Sequence, residues 1–196
     1  MMSMNIDDYI AVYPDFLDIP ICEKATGYLN AFPDWIRHTY EVSNSSRLEN
    51  GEYTSDKISF DDDLWISFVD IPFKQNIQDK LWFAIDEYVK NLNFKWFDGW
   101  SGYSEVRFNK YPKDTKMNLH CDHIHAIFDG RIRGVPILSL IGALNNDYKG
   151  GELYICGQQI ELKAGSLVIF PSNFMYPHEV KEVTSGTRFS YVSWVY

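Results

Sequence analysis

The 196-residue sequence lacks three features that would each indicate a particular class of protein. Its three cysteines include no Cys-x-x-Cys pair, so neither a disulfide framework nor a zinc knuckle is indicated and free thiols are expected. No stretch approaches the roughly 20 apolar residues of a membrane helix. A basic excess is also missing, because the formal net charge is -9. Surfaces that follow a phosphate backbone are normally basic, so a nucleic-acid partner is disfavoured.

The beginning of the sequence, Met1 to Asp8, lacks the basic and apolar regions of a secretory signal peptide. We therefore expect a cytoplasmic protein with no membrane partner. Apolar residues make up 45% of the chain and aromatic residues 16%, which is enough to fill a sizeable core. One domain over residues 1–196 is predicted, with an N-terminal strand and helical support in residues 1–103 and a β-rich core in residues 104–196.

The N-terminal half carries two helical patterns and one short strand pattern. Residues 20–32 and 72–92 place apolar side chains at three- and four-residue steps, as in helices that pack on a core. Residues 9–16 read as a strand. Ser, Asn, Gly and charged residues are frequent between Val42 and Asp56, which predicts a surface loop, with a flexible lid as the alternative.

The C-terminal half is dominated by short runs of β-branched and aromatic residues separated by Gly, Pro, Asn and Asp. The predicted strands cover residues 105–111, 136–144, 152–156, 158–162, 166–170 and 187–195. Many short strands after a helical section favour an antiparallel sandwich or jelly roll with helices on one face. The predicted fold class is therefore mainly β (α+β).

A candidate metal site lies in this half. His120 and Asp122 are separated by one residue, so in an extended segment both side chains point to the same face. His178, from a distant strand, would complete a 2-His-1-carboxylate triad, which leaves three coordination positions of an iron ion open. Each signal alone is weak, because His-x-Asp occurs by chance and a single histidine is more often a packed or exposed residue than a ligand.

A candidate anion site follows the second histidine. Arg188 and Ser190 are two positions apart, so both side chains can project from one face of the same strand. A guanidinium group forks onto a carboxylate with two parallel hydrogen bonds, and a hydroxyl can support it. This pair suits the far carboxylate of 2-oxoglutarate, while a surface salt bridge is the ordinary alternative for Arg188.

The half of the chain from Glu105 to Tyr196 resembles the 2-oxoglutarate- and iron-dependent oxygenases, most closely the prolyl 4-hydroxylase-like branch. The matching segments are Tyr111, His120-Cys121-Asp122, Leu144-Asn145, Gly150-Gly151-Glu152-Leu153, residues 165–172, His178-Glu179-Val180, residues 183–188 and Trp194. They occur in the family's order and at similar spacing.

The resemblance implies a double-stranded β-helix (jelly roll) that binds iron(II) through His120, Asp122 and His178. It implies a hydroxylase that uses 2-oxoglutarate and dioxygen, with ascorbate as an accessory reductant and no catalytic side chain beyond the metal ligands. The implied contacts to 2-oxoglutarate are Arg188, Ser190, Tyr111 and Trp194, and the implied contact to substrate is Arg133. Core packing is the alternative for Tyr111 and Trp194, and a solvated loop charge is the alternative for Arg133.

Two positions depart from the prolyl hydroxylase pattern. Ala143 and Met117 stand where members of the family often have tyrosines that face the oxo-acid and the substrate. The expected substrate is a prolyl or other residue in a peptide or protein. A free amino acid or small molecule is the nearest alternative, followed by a nucleic-acid base and by a catalytically silent binding module.

Overall fold

A computed structural model of the chain describes residues 5–47, 53–97, 99–122 and 136–196. The helices are a 3-10 helix at Ile6–Tyr9, α1 at Ile19–Ala31 and α2 at Lys74–Leu92. The strands are β1 Ala11–Tyr13, β2 Ile36–Arg47, β3 Tyr53–Ser67, β4 Arg107–Tyr111, β5 Met117–His120, β6 Leu138–Ala143, β7 Lys149–Gly150, β8 Leu153–Ile155, β9 Gln158–Ile160, β10 Leu167–Pro171, β11 His178–Val180, β12 Val183–Ser185 and β13 Arg188–Val195. Within the described ranges, no helix combines the length and the apolar character needed to cross a bilayer.

The strands form two larger sheets in which each neighbouring pair is antiparallel. One sheet has the order β1-β10-β6-β13-β4-β3-β2, the other has the order β5-β11-β8-β9, and β12 and β7 form a small ribbon. Ile141 and Val192 of the larger sheet share a buried cluster with Ile155 and Val180 of the smaller sheet. The two sheets therefore face each other across an apolar layer, which confirms the predicted jelly-roll core.

The two helices cover the opposite face of the larger sheet. Ile77, Leu81 and Ile85 recur at four-residue steps on α2, and all three are fully buried. They belong to a second cluster that includes Leu140 and Tyr191 of the sheet. Apolar burial at these steps gives α2 most of its stability, since it removes one whole face of the helix from water. Both predicted helices are confirmed, and α2 begins at Lys74, after the predicted start at residue 72.

The surface loop predicted from Val42 to Asp56 is wrong for the described residues. Val42 lies in β2 and pairs with Ile58 of β3, and Asn44 of β2 pairs with Asp56. The central residues, 48–52, lie outside the described part of the chain. A β-ladder satisfies the backbone N–H and C=O groups whatever the side chains are, so a polar composition does not exclude strands.

The N-terminal half thus contributes β1, β2 and β3 to the larger sheet, where only one strand was predicted. The six strands predicted in the C-terminal half are present, each with ends within about three residues of the prediction. The prediction of a single domain over residues 1–196 stays a prediction.

Candidate metal centre

The structure brings His120, Asp122 and His178 together at one end of the smaller sheet. His120 ends β5 and His178 begins β11, and the two residues are direct partners in the antiparallel register. Their ring centroids are 4.3 Å apart. Asp122 Oδ1 lies 3.4 Å from Nε2 of His120 and 3.7 Å from Nε2 of His178. One nitrogen or oxygen atom from each residue lies within 4.8 Å of the others, as a shared metal ion requires.

Asp122 reaches this cluster by a turn. The extended geometry expected through Asp122 is wrong, because β5 ends at His120 and residues 121 and 122 leave the strand. The His178 pairing also shifts register before Val180, which marks an irregularity in the ladder beside the site. Strand pairing fixes the two histidines, and the turn supplies the carboxylate.

Backbone carbonyls orient both imidazole rings. Nδ1 of His120 lies 2.7 Å from the carbonyl oxygen of Asn118, and Nδ1 of His178 lies 3.2 Å from that of Tyr176. A carbonyl oxygen can only accept, so each Nδ1 carries the proton and donates it. The lone pair of each Nε2 is left for a metal, which is the usual arrangement of ligating histidines.

The two oxygens of Asp122 have different partners. Oδ2 accepts a hydrogen bond from Nε1 of Trp194 at 2.9 Å and one from the hydroxyl of Ser139 at 2.5 Å. The Ser139 hydroxyl has only one proton, so Ser172, 2.7 Å away, donates to its oxygen. With Oδ2 occupied in this way, Oδ1 is the oxygen that faces the histidines and can bind a metal.

The protonation states also suit metal binding. Burial lowers the pKa of His178 to about 4, although Asp122 acts in the opposite direction. Burial raises the pKa of Asp122, but the charge of His178 and the contacts of His120 and Ser139 outweigh it and hold that pKa below its usual value. Because His178 is neutral near pH 7, its charge cannot act there, and we attribute the ionised state of Asp122 at neutral pH to its hydrogen bonds.

The triad opens onto a cavity between the two sheets. The cavity is lined by the three triad residues and by Leu64, Arg107, Asn109, Tyr111, Met117, Leu140, Ile141, Val180, Val192 and Trp194. Two imidazole nitrogens and one carboxylate oxygen are the protein donors of non-haem iron(II) oxygenases. They leave coordination positions of the metal for other ligands. The residues present therefore fit an iron(II) ion.

Arg188 is a buried cation that fits a carboxylate. Its side chain is only 2% exposed, Nη1 donates to the hydroxyl of Ser190 at 3.0 Å, and Nε has no hydrogen-bond partner. No carboxylate in the described residues forms an ion pair with it. Its guanidinium carbon lies 5.0 Å from the ring centre of Tyr111, which lines the cavity. A buried cation with an orphaned donor favours an incoming anion.

Gly151 makes room for this arginine. Gly151 has φ of +68°, and a Cβ there would lie 3.0 Å from Cδ of Arg188 and 2.9 Å from Cγ2 of Val183. A larger residue would be strained in this backbone conformation and would crowd the guanidinium stem. The Gly150-Gly151 segment therefore supports the arginine from the neighbouring ribbon.

Some of the other predicted site residues line the cavity, and others lie beside it or outside the described part of the chain. Tyr111 and Met117 line the cavity, and Ala143 is the antiparallel partner of Ser190. Trp194 lines the cavity too, but its indole N–H is directed to Asp122. Arg133 lies outside the described residues. The contacts of these residues to 2-oxoglutarate or substrate stay predictions.

Sequence reasoning missed Ser139 and Arg107. Ser139 is the partner of Trp194 in the pairing of β6 with β13, which places both donors beside Asp122. Arg107 lines the cavity and stacks on Trp194. The alternation of β4 puts Arg107 on the same face as Tyr111, and this was the available signal for it.

We expect a Trp194→Phe variant to bind metal about tenfold more weakly than the wild type, because it removes one of the two donors that hold Oδ2 of Asp122. Titration of the metal-free protein with Mn²⁺, followed by calorimetry, measures this. Trp96→Phe is the matched control, since Trp96 is 72% exposed and does not line the cavity. Equal affinities in all three proteins would contradict a supporting role for the indole.

The comparisons with known proteins agree with this geometry. Residues 106–196 match the family model described as the 2OG-Fe(II) oxygenase superfamily. A PKHD-type hydroxylase of Shewanella oneidensis is 41% identical over 93 residues, which cover 45% of this chain and 41% of that protein. One from Acinetobacter baumannii is 32% identical over 95 residues, with the same coverages of 45% and 41%. The match thus spans about two fifths of the length of these curated relatives.

Solved structures support the fold over nearly the whole chain. A Pseudomonas putida prolyl-4-hydroxylase has a TM-score of 0.63 and 21% identity, covering 97% of this chain and 95% of its own. A viral collagen prolyl hydroxylase from Paramecium bursaria Chlorella virus-1, solved as a 2OG complex, has a TM-score of 0.65 and 15% identity, with coverages of 97% and 98%. A prolyl hydroxylase from Trichoplax adhaerens, in complex with a peptide fragment of the oxygen degradation domain of hypoxia inducible factor, has a TM-score of 0.62 and 16% identity, with coverages of 96% and 83%. The C-terminal half of this chain is thus similar in sequence to the 2OG-Fe(II) oxygenase superfamily, and the chain shares its fold with prolyl hydroxylases.

Proposed function

We propose that this protein is a non-haem iron(II)- and 2-oxoglutarate-dependent dioxygenase that hydroxylates a C–H bond. The observation that carries the proposal is the convergence of His120, Asp122 and His178. Nδ1 of each histidine and Oδ2 of the aspartate already have hydrogen-bond partners, so the remaining nitrogens and oxygen can bind a metal. Arg188, a buried cation on the strand β13, adds an anion site close to the same cavity. A binding module without catalytic activity would need neither a metal site nor a buried anion site beside it.

The proposed roles follow from these contacts. His120, Asp122 and His178 hold iron(II), and Arg188 with Ser190 holds the far carboxylate of 2-oxoglutarate. When bound, these two groups and dioxygen supply an oxidative decarboxylation that gives succinate and carbon dioxide and inserts one oxygen atom into the substrate. The apolar wall of the cavity, which includes Met117 and Ile141, keeps water away from the metal while the substrate is in place.

The proposed substrate is a prolyl or other residue in a peptide or protein. This rests on the names of the relatives, among them PKHD-type and prolyl hydroxylases, and on the Trichoplax protein that was solved with a peptide. Arg133 remains the residue that we propose for peptide contact. A free amino acid or small molecule is the second candidate, favoured by Arg107, a cation that lines the cavity. The cytoplasmic location remains a prediction from the sequence.

The test is the release of succinate by purified protein supplied with iron(II), 2-oxoglutarate and ascorbate, alone and with panels of proline-containing peptides and of small acids. We expect succinate above background from the wild type and none from an Asp122→Ala variant, which loses a metal ligand. Stimulation by peptides alone would support a peptide substrate. A wild type that neither binds metal nor forms succinate would refute the oxygenase proposal.

A further inference from the structure

Arg107 is a cation of the metal cavity to which the proposed chemistry assigns no role. It begins β4, and because side chains alternate along a strand it shares a face with Asn109 and Tyr111. All three residues line the cavity together with the triad. Its guanidinium carbon lies 4.8 Å from the ring centre of Trp194, whose indole N–H is bonded to Asp122. Arg107 therefore lies on the Asp122 side of the triad.

The charge of Arg107 is poorly compensated. Nε donates to Oδ1 of Asn109 at 3.1 Å, and this is the only hydrogen bond of its side chain to the described residues. No carboxylate in the described ranges lies within ion-pair distance of it. Burial lowers the pKa of Arg107, with Tyr111 and Asp122 acting in the opposite direction. The two terminal guanidinium nitrogens of this half-buried side chain keep donors that an anion in the cavity can accept from.

Arg107 lines the cavity at one end of β4, whereas Arg188 lies beside Tyr111 at the other end of that strand. In the pairing of β4 with β13, Arg188 is opposite Tyr111, and Val192 is opposite Arg107. The four steps along the strand from residue 107 to residue 111 span about 13 Å, at about 3.3 Å per residue. Arg188 adjoins the Tyr111 end, where we propose the oxo-acid tail, whereas Arg107 adjoins Trp194 and Asp122. This separation favours two different anions.

We infer that Arg107 binds a carboxylate of the substrate that is hydroxylated, so that the cavity selects acidic substrates. The inference rests on the proposed function, since it assigns the second anion only after 2-oxoglutarate has taken Arg188. The fork of a guanidinium matches a carboxylate, and the stacking on Trp194 holds the fork at a fixed angle. The carboxylate can come from a free amino acid or from an acidic or C-terminal residue of a peptide.

The experiment uses the full chain loaded with Mn²⁺ and 2-oxoglutarate without oxygen, so that binding is measured and no turnover occurs. Calorimetry compares a panel of N-acetyl amino acids, led by N-acetyl-L-proline, with the matching amides, which differ only in the carboxylate. We expect the wild type to prefer the best acid over its amide by about ten- to a hundredfold, the range for a charged hydrogen bond. In Arg107→Met, a neutral side chain of similar length, the preference should fall to about one.

Lys110→Met is the matched control, because Lys110 lies on the same strand but contacts Trp35, outside the cavity. It should keep the full preference for acids. Arg107→Met should also keep its affinity for 2-oxoglutarate, since we assign that anion to Arg188. Thermal unfolding of each variant verifies that it is folded, and Arg107→Lys, which keeps the charge without the fork, should retain part of the preference.

Two further ligand sets distinguish the source of the carboxylate. Free L-proline tests a small-molecule substrate, and amidated peptides with proline beside glutamate or beside glutamine test an acidic residue. The inference is overturned if the wild type binds none of the acids, if it binds acids and amides equally, or if Arg107→Met keeps the preference. It is also overturned if Arg107→Met weakens 2-oxoglutarate as much as it weakens the acids. Failure of the wild type to bind Mn²⁺ and 2-oxoglutarate would instead refute the proposed function.

Discussion

A His178→Ala variant should lose tight metal binding and should release no succinate above background. It leaves two protein ligands where the wild type has three, and the opposite strand offers no replacement, since His120 is already the partner of His178 in the ladder. Loss of an outer partner of a ligand typically costs about 10- to 100-fold in metal affinity, so loss of the ligand itself should exceed that range. Titration with Mn²⁺ and an assay of succinate release measure the two effects.

The control for this variant is another histidine. His38 lies on the edge strand β2 and is not part of the triad, so His38→Ala should keep the metal affinity and the turnover of the wild type. Thermal unfolding without metal is needed as well, because His178 is buried beside the ring of Phe170 and alanine leaves a cavity there. A folded His178→Ala protein that binds Mn²⁺ like the wild type would show that the ligand assignment is wrong.

His120 and Asp122 were found from a short-range pattern and His178 from the family resemblance, but the geometry of the triad was not predictable. Strand alternation placed His120 and Asp122 on one face, but the structure brings them together by a turn after β5. Alternation succeeded for Arg188 and Ser190, whose side chains meet at 3.0 Å on β13. The two cases differ because β13 contains both Arg188 and Ser190, whereas β5 ends at His120, before Asp122.

Features that depend on pairing between distant strands could not be predicted. Ser139 and Trp194 both reach Asp122 because β6 and β13 are neighbours in a particular register, which no local pattern specifies. The β2 and β3 strands were missed for the same reason: the sequence from Val42 to Asp56 is locally polar, and its ladder hydrogen bonds become visible only when both strands are in place. Helix α2 needed no such information, because its apolar residues recur at the helical period.

Arg188 was found from the sequence, whereas Arg107 was not. Arg188 was noticed because a serine follows it at a strand-like step and because both follow the second histidine in a family-like order. Arg107 has no comparable motif, and its importance follows from its stacking on Trp194 and from the shortage of anions near it. A charge that is costly to bury becomes informative only when the structure shows what surrounds it.

An Arg188→Ala variant should bind 2-oxoglutarate about 1.5 to 3 kcal/mol more weakly than the wild type, the range for the loss of a charged hydrogen bond. That corresponds to a change of roughly ten- to a hundredfold in the dissociation constant. The metal should bind with unchanged affinity, because Arg188 forms no hydrogen bond or ion pair with His120, Asp122 or His178. Calorimetric titration of the Mn²⁺-loaded protein with 2-oxoglutarate, after titration with Mn²⁺ alone, separates the two effects.

Conservative variants make the test of Arg188 specific. Arg188→Lys keeps the charge but loses the fork that donates to Ser190 and to a carboxylate, so its affinity for 2-oxoglutarate should lie between those of the wild type and Arg188→Ala. Ser190→Ala removes only the supporting hydroxyl and should have the smallest effect of the three. If Arg188→Ala is folded and binds 2-oxoglutarate as tightly as the wild type, the oxo-acid must be anchored elsewhere. Arg107, the arginine that lines the cavity, would then be the first residue to test as its anchor.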